Sequence, residues 1–298
     1  MPGRPPAAGA VAGVEATARL RAVPPQPQWA APEGPAEVTT RLRPVPARRS
    51  PRAVGAVICG VLGLGLIGGA VTAGALTGGA GASTAEASAY ARGHGLWHNA
   101  PVDSLFPRTI QGKGAGPGKA DRSWTRIAVA PDADCATALG PKLAAALEPV
   151  GCARVVRATY TDATATNVTT VGMVFTEEDD HAMVSLSRRF DGQKLDERAE
   201  LMPHAYTAPG TVADRFGDPQ RASWTVKVLV DAPVVVYAVS GFADGRVIDD
   251  PEPAAEARDR ASTTAPAQAG LGHEAAGVAA GVERALKSAL NPPTEPPK

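Results

Sequence analysis

The sequence predicts an α+β fold: a ferredoxin-like βαββαβ sheet with an added strand, preceded by one transmembrane helix and a disordered N-terminal tail. Three observations lead there. Nine of the thirteen aromatic residues lie between 124 and 242, so one stretch of the 298-residue chain holds most of the large side chains a core needs. Within that stretch, period-two and helical apolar patterns alternate in the order β-α-β-β-α-β-β. Upstream of it, no charged residue occurs from Ala53 to Ala85.

The first 52 residues contain eight Arg, three Glu and eleven Pro, a net charge of +5 with almost nothing apolar to bury. Such a segment cannot offset its ordering entropy, and disorder is expected. Inside it, Glu15 to Pro24 and Glu37 to Pro46 share the pattern E-x-T-x-R-L-R-x-V-P at an offset of 22 residues. A Leu between two Arg, followed by Val-Pro in extended geometry, is an element that a folded cytoplasmic partner can grip, and two copies raise avidity. The candidate residues are Thr17, Arg19, Leu20 and Arg21 with Thr39, Arg41, Leu42 and Arg43, the two Thr being phosphorylation candidates beside Arg. The rival account is duplication within low-complexity sequence. A pull-down with either ten-residue peptide, set against a scrambled control, separates the two.

Residues 53–79 are expected to span a membrane. Ala53 to Leu76 are 24 apolar or small residues, a helix of roughly 36 Å against a hydrocarbon layer of about 30 Å. Arg41, Arg43, Arg48, Arg49 and Arg52 precede the span and the first charge after it is Glu86, which places the N-terminus in the cytoplasm and the C-terminal part outside the cell. The same Arg cluster favours anionic membrane lipid. A cleaved signal peptide has A-x-A sites at Ala87 and Ala89 in its favour, but the apolar run is too long and starts too late. Gly65 and Gly69 have the spacing that lets two helices pack as a homodimer, although Gly is abundant along the whole chain.

Residues 80–121 read as a Gly/Pro-rich spacer and 122–248 as the exported α+β domain. Trp124 to Ala130 reads as a strand and Pro141 to Leu147 as a helix with Pro in its first turn. Val156, Ala158 and Tyr160 share one face of a second strand, and Val171, Met173 and Phe175 one face of a third. Thr176 is placed to cap a helix whose buried stripe is Met183, Leu186 and Phe190. Trp224, Val226, Val228 and Val230 alternate as a strand, and Val234 to Ser240 follow the turn at Asp231 to Pro233 as a central one. Helices are expected on one face of this sheet only. Residues 249–298 read as a Pro/Ala-rich tail with one short helix, Glu274 to Leu290, whose narrow, Ala-heavy stripe leaves three outcomes open: weak docking on the domain, pairing with a second copy, or fraying.

Cys135 and Cys152 lie in the exported part, where a disulfide can form. Bonded cysteines need Cα atoms within about 7 Å, so the helix must begin near Pro141 and residues 135–140 must double back. Beyond residue 52 the net charge is −5, which argues against nucleic acid as a partner. Glu177 to His181 form an acidic run of the kind that complements a helix N-terminus, and His94 and His98 have metal-compatible spacing only on a helix that their glycine neighbours oppose. The Gly-rich stretch Lys113 to Ala120 has Lys113 at the first Gly position and Ala120 at the Ser/Thr position of a phosphate loop, and it follows no expected strand. No catalytic residue, cofactor or metal site is recommended.

Arg outnumbers Lys by 23 to 7, as in products of GC-rich genomes. The runs at 96–107 (LWHNAPVDSLFP), 114–135, 149–164 and 220–245 (QRASWTVKVLVDAPVVVYAVSGFADG) resemble uncharacterised single-pass membrane proteins of high-GC actinobacteria, over residues 96–248. The architecture is more loosely similar to exported sensor domains of actinobacterial receptor kinases. That resemblance implies location rather than activity. The expected role is a membrane-anchored, non-catalytic domain for ligand sensing or cell-envelope assembly. The alternatives are a cell-envelope enzyme or a structural subunit of a secretion machine.

Overall fold

A computed structural model of the chain describes residues 86–131 and 133–292. The tail 1–52 with both copies of its repeat, Thr17 to Arg21 and Thr39 to Arg43, and the span 53–79 with Gly65 and Gly69, lie outside the described residues. Among the described residues no helix is long and apolar enough to cross a membrane.

Residues 86–93 form helix α1, followed by two single turns, α2 (Leu96–Asn99) and α3 (Val102–Leu105). The chain then runs through β1 (Thr109–Gly112), β2 (Arg122–Val129), α4 (Cys135–Ala138), α5 (Pro141–Leu147), β3 (Arg154–Asp162) and β4 (Asn167–Phe175). After α6 (Asp180–Gln193) and a long irregular stretch come β5 (Ser223–Val228) and β6 (Val234–Phe242). The last elements are β7 (Glu252–Pro253), α7 (Ala254–Ala257), α8 (Ala265–Gln268) and α9 (Leu271–Leu290).

The β-branched runs build one mixed sheet of seven strands in the order β1-β2-β3-β4-β6-β5-β7, antiparallel except where β7 joins β5. This α+β sheet differs from the ferredoxin-like order in one of its two crossovers. β4 and β5 both run antiparallel to β6 between them, as a split βαβ unit requires. β2 and β3, in contrast, are adjacent and antiparallel. The reason lies in the connection. A parallel crossover must carry the chain back along the strand, about 26 Å for the eight residues of β2, whereas Cys135 and Cys152 are 6.2 Å apart at their Cα atoms. The chain therefore leaves and re-enters the sheet at the same end.

Both faces of the sheet are covered, not one. Val156, Ala158, Tyr160, Val171, Met173 and Phe175 share a face as the alternation predicts, and they pack with Val278, Val282 and Leu286 of α9. The opposite face carries Val155, Val174, Val235 and Tyr237 against Leu143 and Leu147 of α5 and Met183, Leu186 and Phe190 of α6. Two expected boundaries move accordingly. The expected spacer contributes β1 and the buried Leu96, Leu105, Phe106 and Ile110, and the expected C-terminal tail contributes a twenty-residue helix as an entire layer. In both segments a few apolar residues, diluted among Ala and Gly, suffice because the sheet supplies the rest of the core. α6 begins three residues later than the Thr176 cap implies: Asp179 is its N-cap and accepts from Ala182 N at 2.9 Å, while Thr176 is buried beside Met183. Val230 lies beyond the end of β5 and is exposed.

Candidate functional site

α1 is short, and three contacts hold it to the domain. Tyr90 donates its hydroxyl to Glu178 O at 3.1 Å, His94 donates Nδ1–H to Thr176 O at 3.0 Å, and Arg92 Nη2 donates to Leu290 O at 2.7 Å, satisfying a carbonyl at the end of α9. Gly93 permits close approach to Pro233, because a Cβ there would strike the proline ring. Tyr90 and His94 meet edge-to-face at 5.6 Å.

Beside α1 lies a cleft of about 880 Å³, bounded by the start of α6, the turn between β5 and β6, and the end of α9. Its charged lining is Glu86, Glu177, Asp179, Asp180 and Asp231 against Lys287 alone. Lys287 is already committed, with Asp231 at 2.9 Å and Glu283 at 3.0 Å. Burial, then the negative field of Asp180, Asp179 and Glu178, pushes the Tyr90 hydroxyl far above the usual tyrosine range, so it stays protonated. The cleft therefore presents negative charge with an aromatic and imidazole wall, a surface suited to a cationic group. Only its acidic run was legible beforehand. Glu86, Tyr90, Asp231 and Lys287 come from segments with no shared pattern, and no spacing could have assembled them.

The predicted cysteine pair is present as a disulfide, Cys135–Cys152. The geometry follows the stated condition: α4 is a single turn capped by Asp134, which accepts from Thr137 N at 2.7 Å, and α5 starts afresh at Pro141. His94 falls in the turn after α1 and His98 in α2, where it meets the Trp97 ring edge-to-face at 4.5 Å. Among the described residues, no group of three or more His, Cys, Asp or Glu could hold a metal ion. The Gly-rich stretch at 113–120 does follow a strand, β1, and its Gly114 N donates to Asp121 at 2.7 Å.

A second polar cluster, His204 with Asp218, sits on the long irregular stretch. His204 Nδ1 is hydrogen-bonded to Asp218 Oδ2, and its Nε2 faces the backbone of Gly140. Arg221 donates to Met202 O, Pro203 O and Asp218 O at 2.8 to 2.9 Å, so the cluster ties the two ends of this stretch together. No protein-family model, curated protein or solved structure matches the chain. What the geometry defines is an α+β domain with a seven-stranded mixed sheet, one disulfide and an acidic cleft at its N-terminal helix.

Proposed function

We propose that this chain is a single-pass cell-membrane protein, with its N-terminus in the cytoplasm and its α+β domain displayed outside. There it serves as a binding module for ligand sensing or envelope assembly. The observation that carries this is the Cys135–Cys152 crosslink in a domain that follows a run of 24 apolar or small residues. Disulfides persist in oxidising compartments, and the Arg-rich flank orients the span with the domain on that side. The resemblance to single-pass membrane proteins of high-GC actinobacteria agrees with this location. The acidic cleft is the binding face of this reading. It borders α1, which starts within a few residues of the predicted span, so an occupant presses on the segment that leads to the membrane. The tail repeat is the cytoplasmic docking element, and the Gly65 and Gly69 face is the route to a homodimer.

Single cysteines placed by Gln26→Cys and Val247→Cys, each in a Cys59→Ser background, test the orientation; Val247 is 55% exposed. In intact cells a membrane-impermeant maleimide is expected to label Val247→Cys at once and Gln26→Cys only after permeabilisation. The reverse order, or free thiols at Cys135 and Cys152 in isolated membranes, overturns the proposal.

A further inference from the structure

Arg157 occupies a position on β3 that the alternation reserves for an apolar side chain. It faces the same side as Val155, toward α5 and α6, and is 9% exposed. A guanidinium does not shed its proton in a protein. Among the described residues no carboxylate stands within ion-pair distance of it and no acceptor meets its Nε; the Tyr206 ring lies 5.4 Å from its Cζ. The two buried carboxyl side chains among the described residues are met by partners: Glu274 has Arg122 at 2.8 Å, and Asp162 accepts from the backbone N–H groups of Thr164, Thr166 and Asn167. A buried N–H without an acceptor is costly, and a partly buried ring compensates little of that cost.

A second unmet group lies beside it. Tyr237 on β6 is fully buried and its hydroxyl has no hydrogen-bond partner. The register explains where that hydroxyl goes. Arg157 is opposite Gly172 on β4, and Gly172 is opposite Tyr237, so the three residues form one rung across the sheet. Gly172 has no side chain, and the Tyr237 ring lies across it; a Cβ there would collide with the phenol end. The hydroxyl is thus carried over β4 toward β3 at the level of Arg157. Burial holds Tyr237 in its protonated form, which keeps it a donor.

The polar groups nearest this rung are already used. Thr159 Oγ1 donates to Tyr206 O at 3.2 Å, and Tyr206 N donates to Thr170 Oγ1 at 3.0 Å. These two bonds staple the Tyr206 backbone over the rung as a roof, on a stretch that belongs to no helix or strand. Beneath it the Arg157 Nε–H and the Tyr237 hydroxyl remain without a hydrogen-bond partner, and among the described residues no carboxylate pairs with the guanidinium.

We propose that Arg157 and Tyr237 form a binding site for a small oxyanion, a carboxylate in particular, closed over by Tyr206. A planar guanidinium edge matches the two oxygens of a carboxylate, and the hydroxyl supplies one further donor. One unpaired cation calls for one negative charge, which favours a monocarboxylate over a phosphate dianion. This site is on the α6 side of the sheet and stands independently of the acidic cleft.

The test uses the full chain in detergent micelles, dialysed into a buffer whose only anion is a bulky sulfonate, with thermal melting as the readout. Acetate is expected to raise Tm with the logarithmic dependence of a single site on the folded state, RT ln(1 + [L]/Kd), which added sulfonate at equal ionic strength does not reproduce. Tyr237→Phe is expected to raise the Kd fitted from this dependence about fivefold, the loss of one hydrogen bond, and Arg157→Met to abolish the response. Should Arg157→Met fail to fold, Tyr237→Phe decides. Equal shifts from acetate and sulfonate, no shift with acetate, or a Tyr237→Phe curve superimposed on that of the wild type overturns the proposal. A lower Kd for phosphate than for acetate overturns the carboxylate assignment.

Discussion

Glu274 is fully buried near the start of α9, where Trp124 donates its indole N–H to one carboxylate oxygen and Arg122 Nη2 stands 2.8 Å from the other. Burial pushes its carboxyl above the ordinary range, and the Trp124 hydrogen bond and the Arg122 charge offset only part of that. The folded protein therefore holds this proton more tightly than the unfolded chain does. Its stabilising contribution is complete below the unfolded value and is lost as pH rises through the folded one. Glu274→Gln cannot titrate, so the stability of the wild type relative to this variant falls as pH is raised from about 4 toward 7. Urea midpoints of the two full-length proteins across that window check the sign; a difference that grows with pH contradicts it. Glu274→Ala leaves the Trp124 N–H unmet and costs about 2 kcal/mol. None of this was legible beforehand. An acid in the first turn of a helix reads as a complement to the dipole, and Trp124 lies 150 positions away.

α9 shows why an Ala- and Gly-rich stripe misleads. Its Val278, Val282 and Leu286 are buried as the period predicts, yet the helix docks as a full layer because its small residues let it come close. A Cβ on Gly277 would collide with the Trp124 ring, and one on Gly281 with Ile110. In an exposed helix Gly→Ala gains about 1 kcal/mol; here overpacking should outweigh that gain. Gly277→Ala and Gly281→Ala are each expected to lose about 1 kcal/mol net and to lower Tm by several degrees, and a rise in Tm for either would show that the interface has slack. At α6, Asp179→Ala removes the cap and is expected to cost about 1 kcal/mol, read as a shift in the urea midpoint. The connection between β2 and β3 was legible in part. The condition set by Cys135 and Cys152 gave the doubled-back chain and the start at Pro141, but the same closeness also dictates antiparallel neighbours. Reducing this bond is expected to cost about 3 kcal/mol in the chain-entropy model, checked by melting with and without reductant.

For the whole molecule, both sheet faces must be covered for the sheet to be stable, since Val234 to Val239 are buried from either side. A chain ending at residue 248 lacks α9 and is expected to lose its cooperative unfolding transition; an unchanged transition would return α9 to the status of an appendage. The zero net charge of the chain conceals +5 in the first 52 residues and −5 beyond them, and that division, with the charge-free run between, is a property of linear order alone. By itself the sequence determined the five central strands, α5, the stripe of α6 and the cysteine pair, because each rests on periodicity or spacing within a few residues. The tertiary structure decided the strand order, the second helical layer, the acidic cleft and the rung of Arg157, Gly172 and Tyr237. Those depend on which strands become neighbours, and neighbours across a sheet are joined by register between distant segments, which no local pattern encodes.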